Sequence, residues 1–325
     1  MSCATPVVFI IFKRADLTAR VWAAIQRVQP RRLFIVADGP RNPSEAPQCA
    51  ETRRIVEQPG WPCEVQRNYS EQNMGCRNRI SSGLDWVFSQ TEQAIILEDD
   101  CVPAQSFFGF CENLLERYRG DERVMHIGGS NFLIHRSGPY SYHFSRYAHV
   151  WGWATWARAW RHMELNMRTW SEFAKGGLQE LFTDKDERRH WLQKFAPIST
   201  GKRTDTWAYP WQYSVWKHRG FSVVPHFNLV ANIGFGDDAT HTQDTSSPIS
   251  NLPVGEIPAV LQHPHQVRFD DEADHTVYLR AFGGARTKLR KSLRYKLSKP
   301  VRVYRKLRER WTGVRAKGRE MDIAK

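Results

Sequence analysis

Apolar residues along this chain come first in short, nearly unbroken runs and then in helical stripes. The runs are "PVVFIIF" (6–12), "RLFIVAD" (32–38), "CEVQRN" (63–68), "AIILED" (94–99) and "RVMHIGG" (123–129). Each has strand length, and the near-continuous apolar character fits strands buried on both faces. Between them the period changes to that of a helix. Asp16 reads as an N-cap for Leu17, Val21, Ile25 and Val28 on one face. Ile80, Leu84 and Val87–Phe88 make a second stripe, and Phe107, Phe108, Cys111, Leu114, Leu115 and Tyr118 a third. Strands that recur with helices between them predict βαβ units and an α/β fold with a mostly parallel sheet flanked by helices.

Ligands of such sheets sit at the carboxyl ends of the strands. Polar signals gather there: Lys13–Arg14 after the first run, Asp38–Gly39–Pro40 after the second, Asn73–Met74–Gly75 after the third, and Glu98–Asp99–Asp100 closing the fourth. Three adjacent carboxylates repel one another, so they need a positive charge opposite them. A hard dication is one such charge. Mg²⁺ or Mn²⁺ takes one or two protein carboxylates and completes its shell with water and substrate phosphates. The plain alternative is a solvated loop that caps the helix beginning near Phe107.

After about residue 140 the character changes. Nine of the 13 tryptophans lie between Trp151 and Trp216, in segments such as "HVWGWATWARAW" and "DTWAYPWQYSVW". Most are expected to be core, and two or three to line a binding wall.

Charge alters the picture at one end only. Residues 276–325 carry 17 Lys+Arg against 3 Asp+Glu, whereas residues 1–275 carry 30 against 31. The chain therefore divides into a near-neutral domain (1–275) and a basic tail (276–325). In the tail, Leu289, Leu293 and Leu297 recur every four residues, and beyond Pro300 the stripe continues through Leu307, Trp311 and Val314. A basic helix with an apolar stripe reads as an interfacial membrane helix, and residues 280–325 are expected to meet an anionic surface. The first apolar run is too short to span a bilayer, and nothing before it has a signal-peptide layout. The six cysteines contain no Cys-x-x-Cys pair, which suggests a reducing compartment. The expected location is cytoplasmic, at the inner face of the membrane.

The motif "IILEDDCVP" resembles the DXD-type motif of GT-A-fold glycosyltransferases, in particular the "EDD" of the N-acetylglucosaminyltransferase I family. The chain is also similar to a group of bacterial GT-A-like sugar transferases through "FIIFKR", "ADGPRN", "NMGCRN", "HVWGWATW" and "NLVANIGFGDDATHT". The resemblance runs from about Pro6 to His241. It implies a GT-A (Rossmann-like) sheet whose residues 1–130 form the nucleotide-sugar-binding half and 131–275 the acceptor-side half. It also implies transfer from a nucleotide-diphosphate sugar to a glycan or lipid-linked acceptor in bacterial surface polysaccharide assembly, with Mn²⁺ or Mg²⁺.

Carried onto this sequence, the resemblance makes Asp100 a metal ligand, with His241 as a second. Glu98 and Asp99 would bind donor hydroxyls or support the metal through water. Asp38 would meet the base or ribose. Lys13 and Arg14 would flank the nucleotide. Asn73, Gly75 and Arg77 would shape the donor pocket, with Trp151 and Trp153 as its aromatic wall. The resembled families place a catalytic Asp next to a Trp, but Ala208 follows Trp207 here. Asp205 is the candidate base, with Asp237 and Asp238 in reserve.

Other classes fit less well. A haloacid-dehalogenase-type phosphatase or phosphotransferase needs a nucleophilic Asp after the first strand, where Phe12, Lys13 and Arg14 stand. A hydride-transferring enzyme needs G-x-G-x-x-G there, and it is absent. A nucleic-acid-binding role would rest on the tail alone and does not need its leucine stripe.

Overall fold

The structure, a computed structural model, describes residues 3–136, 138–235, 249–250 and 252–284. The chain divides into two compact units, 1–277 and 278–325. Of the second, only residues 278–284 are described, so the expected amphipathic tail helix lies outside the described residues.

Each of the five apolar runs contains a strand. They are β1 (Val7–Ile11), β2 (Arg32–Ala37), β3 (Glu64–Tyr69), β4 (Gln93–Glu98) and, after a short β5 (Cys101–Pro103), β6 (Val124–Gly128). Helices α1 (Ala15–Val28), α2 (Ala46–Ile55), α3 (Gly75–Phe88) and α4 (Gln105–Arg117) connect them. The remainder of the first unit adds β7 (Tyr142–Ser145), β8 (Trp153–Trp156), α5 (Ala157–Trp160), α6 (Trp170–Leu181), α7 (Lys185–Ser199), α8 (Ala208–Lys217), β9 (Phe221–Pro225) and β10 (Val230–Asn232). The helix α9 (Asp271–Arg280) follows.

One sheet of eight strands runs in the order β3-β2-β1-β4-β8-β6-β9-β7. Pairs β3–β2, β2–β1, β1–β4 and β6–β9 are parallel, while β8 is antiparallel to both β4 and β6, and β7 to β9. Six of the eight strands thus point the same way. Residues 1–130 and 131–275 both contribute strands to this sheet, so the two expected halves share one scaffold.

Alternation along β1 shows how both faces are covered. Val7, Phe9 and Ile11 join a core with Val21, Trp22 and Ile25 of α1 and Phe107, Cys111 and Leu114 of α4. Val8 and Ile10 join a second core with Ile80, Leu84 and Val87 of α3 and Trp211 and Val215 of α8. Fully burying each such side chain contributes about 1.5–3 kcal/mol. The helix expected to start at Asp16 instead has Arg14 at its N-cap, with no side-chain cap bond. Asp16 sits in the first turn, where its charge still favours the helix dipole.

Eight of the nine clustered tryptophans are buried, and Trp151 alone is half-buried. This corrects the expectation that two or three would line a wall. Trp153 is fully buried and stacks on Trp207, with ring centroids 5.6 Å apart, and on His126 at 5.0 Å. It belongs to the core and does not serve as a donor wall. Trp153, Trp160, Trp207 and Trp211 share the core that also holds Val8 and Ile10, whereas Trp156 packs on the other face of the sheet with Leu115 of α4.

All six cysteines are free thiols. No described helix is long and apolar enough to cross a membrane.

Candidate functional site

Pairing of β1 with β4 aligns Ile10 with Glu98, so the residues that follow each strand meet. The charge opposite the acidic triplet is Arg14. Its Nη2 donates to Asp99 Oδ1 and, at 3.0 Å, to Asp100 Oδ2, and its Nε lies 3.4 Å from Asp99 Oδ2. The Phe12 backbone N–H also donates to Asp99. Asp99 is therefore committed to Arg14 and to the end of β1, leaving Glu98 and Asp100 as the acids with capacity to spare.

One guanidinium does not neutralise three carboxylates, and the burial makes this felt. Burial first, then the charges of Asp100 and Asp99, push the Glu98 carboxyl up to about 8, against the pull of Arg14. Burial pushes Asp99 up to about 6, with Arg14 opposing it. For Arg14 itself, burial disfavours the charge, but Asp99 and Asp100 more than offset this and hold it firmly protonated.

Asp38 has a different role from the one expected of it. Its Oδ1 accepts from the N–H groups of Gly39 and Met74, both at 2.9 Å, and its Oδ2 from Asn73 Nδ2 and Gly75 N–H, both at 3.1 Å. Asn73 Nδ2 also donates to the Gly39 carbonyl at 2.9 Å. The carboxylate is buried and saturated, so it is not available to a base or ribose. It satisfies two orphan amides at the start of α3 and ties that helix to the end of β2. Gly75, at φ +76°, makes the turn into the helix. A Cβ at Gly39 would stand 2.6 Å from the Gln72 backbone, so this glycine is required by close approach.

Two other expected donor residues are also engaged in holding the frame. Arg77 Nη2 donates at 2.9 Å to both the Leu165 carbonyl and Asn166 Oδ1. Lys13 Nζ pairs with Glu45 Oε1 at 2.7 Å. The sequence reading missed Arg79, which is buried and donates from Nε to the Ala37 carbonyl at 3.1 Å and from Nη2 to Asn68 Oδ1 at 2.8 Å.

The first turn of α3 is where the acids converge. Burial pushes the Cys76 thiol up, followed by the negative charges of Glu98, Asp100, Asp205 and Asp38. Acids from the ends of β2 and β4 and from the loop before α8 thus act electrostatically on one side chain. Asp205 is half-exposed and accepts from Arg203 Nε at 2.9 Å.

The other wall comes from β10, which pairs antiparallel with β5. The Ile233 N–H donates to the Asp100 carbonyl at 2.8 Å. A Cβ on Gly234 would land on Asp100 Oδ2 and stand 2.8 Å from Asp100 Cβ. Trp151 packs against Phe132 and, beside Gly234, against Phe235, at centroid separations of 5.0 and 5.7 Å. Gly234 and Phe235 are site residues that sequence reasoning passed over. Their only signal was the apolar–glycine–apolar run "NIGFG" before the acidic "DD". Asp237, Asp238 and His241 lie outside the described residues.

Among the described residues, no group of three or more His, Cys, Asp or Glu side chains is gathered so as to hold a metal alone. A closed, all-protein site of the zinc type does not fit. A hard dication that takes Asp100 and Glu98 and draws its remaining ligands from phosphate and water does fit the oxygen donors present.

No protein-family model matches the chain, and no curated protein sequence matches it. Similar solved structures include a cytidylyltransferase from Leptospira borgpetersenii serovar Hardjo-bovis, 11% identical, covering 62% of this chain and 74% of that one at a TM-score of 0.32. A 4-diphosphocytidyl-2C-methyl-D-erythritol synthase from Anaerococcus prevotii is 11% identical, covering 59% and 84%, with a TM-score of 0.31. UDP-glucose pyrophosphorylase complexed with UDP-glucose is 12% identical, covering 37% and 56%, with a TM-score of 0.21. Likeness at this level is distant and assigns no activity to the chain.

Proposed function

We propose that this protein is a nucleotide-sugar-dependent glycosyltransferase of the GT-A kind, acting on a glycan or lipid-linked acceptor with Mg²⁺ or Mn²⁺. The observation that supports the reading is the cluster of Arg14 with Asp99 and Asp100 beside Glu98, at the carboxyl ends of the parallel strands β1 and β4.

In this reading Asp100 and Glu98 hold the metal, which when bound neutralises charge on the leaving nucleoside diphosphate. Arg14, kept in place by Asp99, directs its guanidinium at the same phosphates. Asp205 accepts the proton of the acceptor hydroxyl as the new C–O bond forms and the bond to the diphosphate breaks. Its half-exposed position suits a base that an acceptor must reach from solvent. Trp151 and Phe235 give the apolar face against which a sugar packs.

The test needs no knowledge of the acceptor. Wild-type protein is screened against nucleotide-diphosphate sugars for slow hydrolysis, with Mn²⁺ and with EDTA. Hydrolysis of one donor is expected, lost in EDTA and lost in Asp100→Ala. Asp205→Asn is expected to keep donor binding and to lower transfer to an acceptor by roughly 10²–10⁴-fold. Donor turnover by Asp100→Ala in chelator, equal to wild type, would sink the metal-dependent reading.

A further inference from the structure

At the far end of the sheet lies a cleft of about 950 Å³, formed by β7 and its approach on one side and residues 264–272 on the other. Its place follows from strand direction. β4, β6 and β9 run the same way, and β7 is antiparallel to β9, which sets Tyr142 opposite Pro225. The start of β7 therefore shares the carboxyl edge of the sheet with the acidic triplet. Four strand spacings separate β4 from β7, or about 19 Å.

The lining combines aromatic faces with paired charges. Tyr140 and the exposed His265 stand at the rim in an edge-on contact, with centroids 5.8 Å apart. Arg136 pairs with Asp270 at 2.6 Å, and Arg146 with Asp274 at 3.0 Å and Asp271 at 2.5 Å. The exposed Arg268 and Glu272 add one charge of each sign. The floor holds His143 and His226, both buried, with rings 5.6 Å apart. Burial takes their values down to about 3 and about 4, so both are neutral near pH 7. Among the described residues, His143 Nδ1 has no hydrogen-bond partner, although buried polar groups are normally paired.

A polyanion would need excess positive charge, and this cleft has none. An apolar ligand would leave the ion pairs facing nothing. A neutral polyhydroxyl chain suits both features, because hydroxyls bond to guanidinium and carboxylate edges while C–H faces pack on aromatic rings. We propose that this cleft is a second carbohydrate site, which holds an oligosaccharide segment of the acceptor at the β7 edge of the sheet, four strands along from the acidic triplet. The assignment of that segment to an acceptor rests on the transferase reading, whereas oligosaccharide binding by the cleft does not.

Saturation-transfer NMR with the full-length protein provides the test. The probes are neutral hexasaccharides of α-1,4-linked glucose, β-1,4-linked glucose and β-1,6-linked N-acetylglucosamine, with a sulfated heparin hexasaccharide as the polyanion control. At least one neutral probe is expected to bind. Its affinity should fall on the order of tenfold in Tyr140→Ala and in Arg268→Ala, and stay unchanged in Asp100→Ala. Both cleft variants should keep the metal-dependent donor hydrolysis of wild type, which also shows that they fold. The proposal is overturned if no neutral probe binds, if binding survives both cleft substitutions, or if only the sulfated probe binds. Wild-type protein that binds a neutral probe through Tyr140 but hydrolyses no donor would sink the transferase reading and leave the carbohydrate cleft standing.

Discussion

Glu98 is the acid whose environment carries the clearest consequence. In the folded chain it holds its proton up to about 8, whereas an unfolded chain releases it near the ordinary glutamate value of about 4.3. The native state thus binds more protons between these two values, and metal-free stability falls as pH rises through that window. Glu98→Gln cannot ionise and is expected to remove this part of the pH dependence. In chelator, its Tm should exceed that of wild type by a few degrees at pH 8, and the two should converge toward pH 4.5. Thermal melts across the range check this, and parallel curves would refute it. Gly234 is the second residue with a sharp expectation. Gly234→Ala puts a methyl group on Asp100, and displacing a reacting group by about 1 Å can cost about 10²-fold in rate. Donor turnover should fall by about that factor and Mn²⁺ affinity, read by electron paramagnetic resonance, should fall with it. Unchanged values in both would remove Gly234 from the site. Neither residue's role could be read locally: the motif marked Glu98 as an acid, but only the packed site says that it is held protonated.

At the scale of elements, α3 joins the fold to the chemistry. Its buried stripe of Ile80, Leu84 and Val87 was legible from spacing alone, as were the cores of α1 and α4. Its start was legible only as a glycine after polar residues, and the lock formed by Asp38 and Asn73 was not. That lock depends on β2 lying beside β3 in the sheet, with Ala37 opposite Tyr69, and hydrophobic periodicity carries no information on which strand ends are neighbours. The same helix sits close on β2 through Gly83, where an added Cβ would stand 2.6 Å from Val36 Cγ1. Gly83→Leu is expected to lower unfolding free energy by about 1–3 kcal/mol through overpacking, against which any gain in helix propensity is small. Urea denaturation measures the difference, and a stability equal to wild type would mean that α3 does not pack on β2 this tightly.

For the whole molecule, the basic tail is the part that composition singled out. The transferase reading gives it a purpose, since a lipid-linked acceptor would lie at a membrane surface. Full-length protein is expected to float with anionic vesicles and not with neutral ones, and to lose binding as salt rises. A chain ending at residue 284, which keeps α9 whole, should stay in the unbound fraction. Equal recovery of the two chains in that fraction would leave the tail without a membrane role.

The sequence by itself determined the βαβ order, the burial of β1, β2 and β4 on both faces, the acids at a strand end and the neutral body with its basic tail. These depend on local period and composition, which a single segment expresses without reference to any other. β3, expected to be buried as well, is a half-exposed edge strand. Only the tertiary structure decided which groups are spent and which are left over. Asp38, Lys13 and Arg77 read as ligand contacts from the sequence, yet Asp38 spends its carboxylate on fastening the end of β2 to the start of α3, Lys13 pairs with Glu45, and Arg77 ties α3 to the Leu165–Asn166 loop. Arg14 looked like one more flanking base and is the counter-charge of the acidic triplet. Trp151 and Trp153, two residues apart in one motif, would share a face of an extended strand, but Gly152 between them, at φ +60°, breaks the extended path and β8 begins only at Trp153: one remains half-exposed beside Phe235, the other is sealed in the core. Hydrogen-bonding capacity is finite, and its allocation is settled by neighbours distant in the chain.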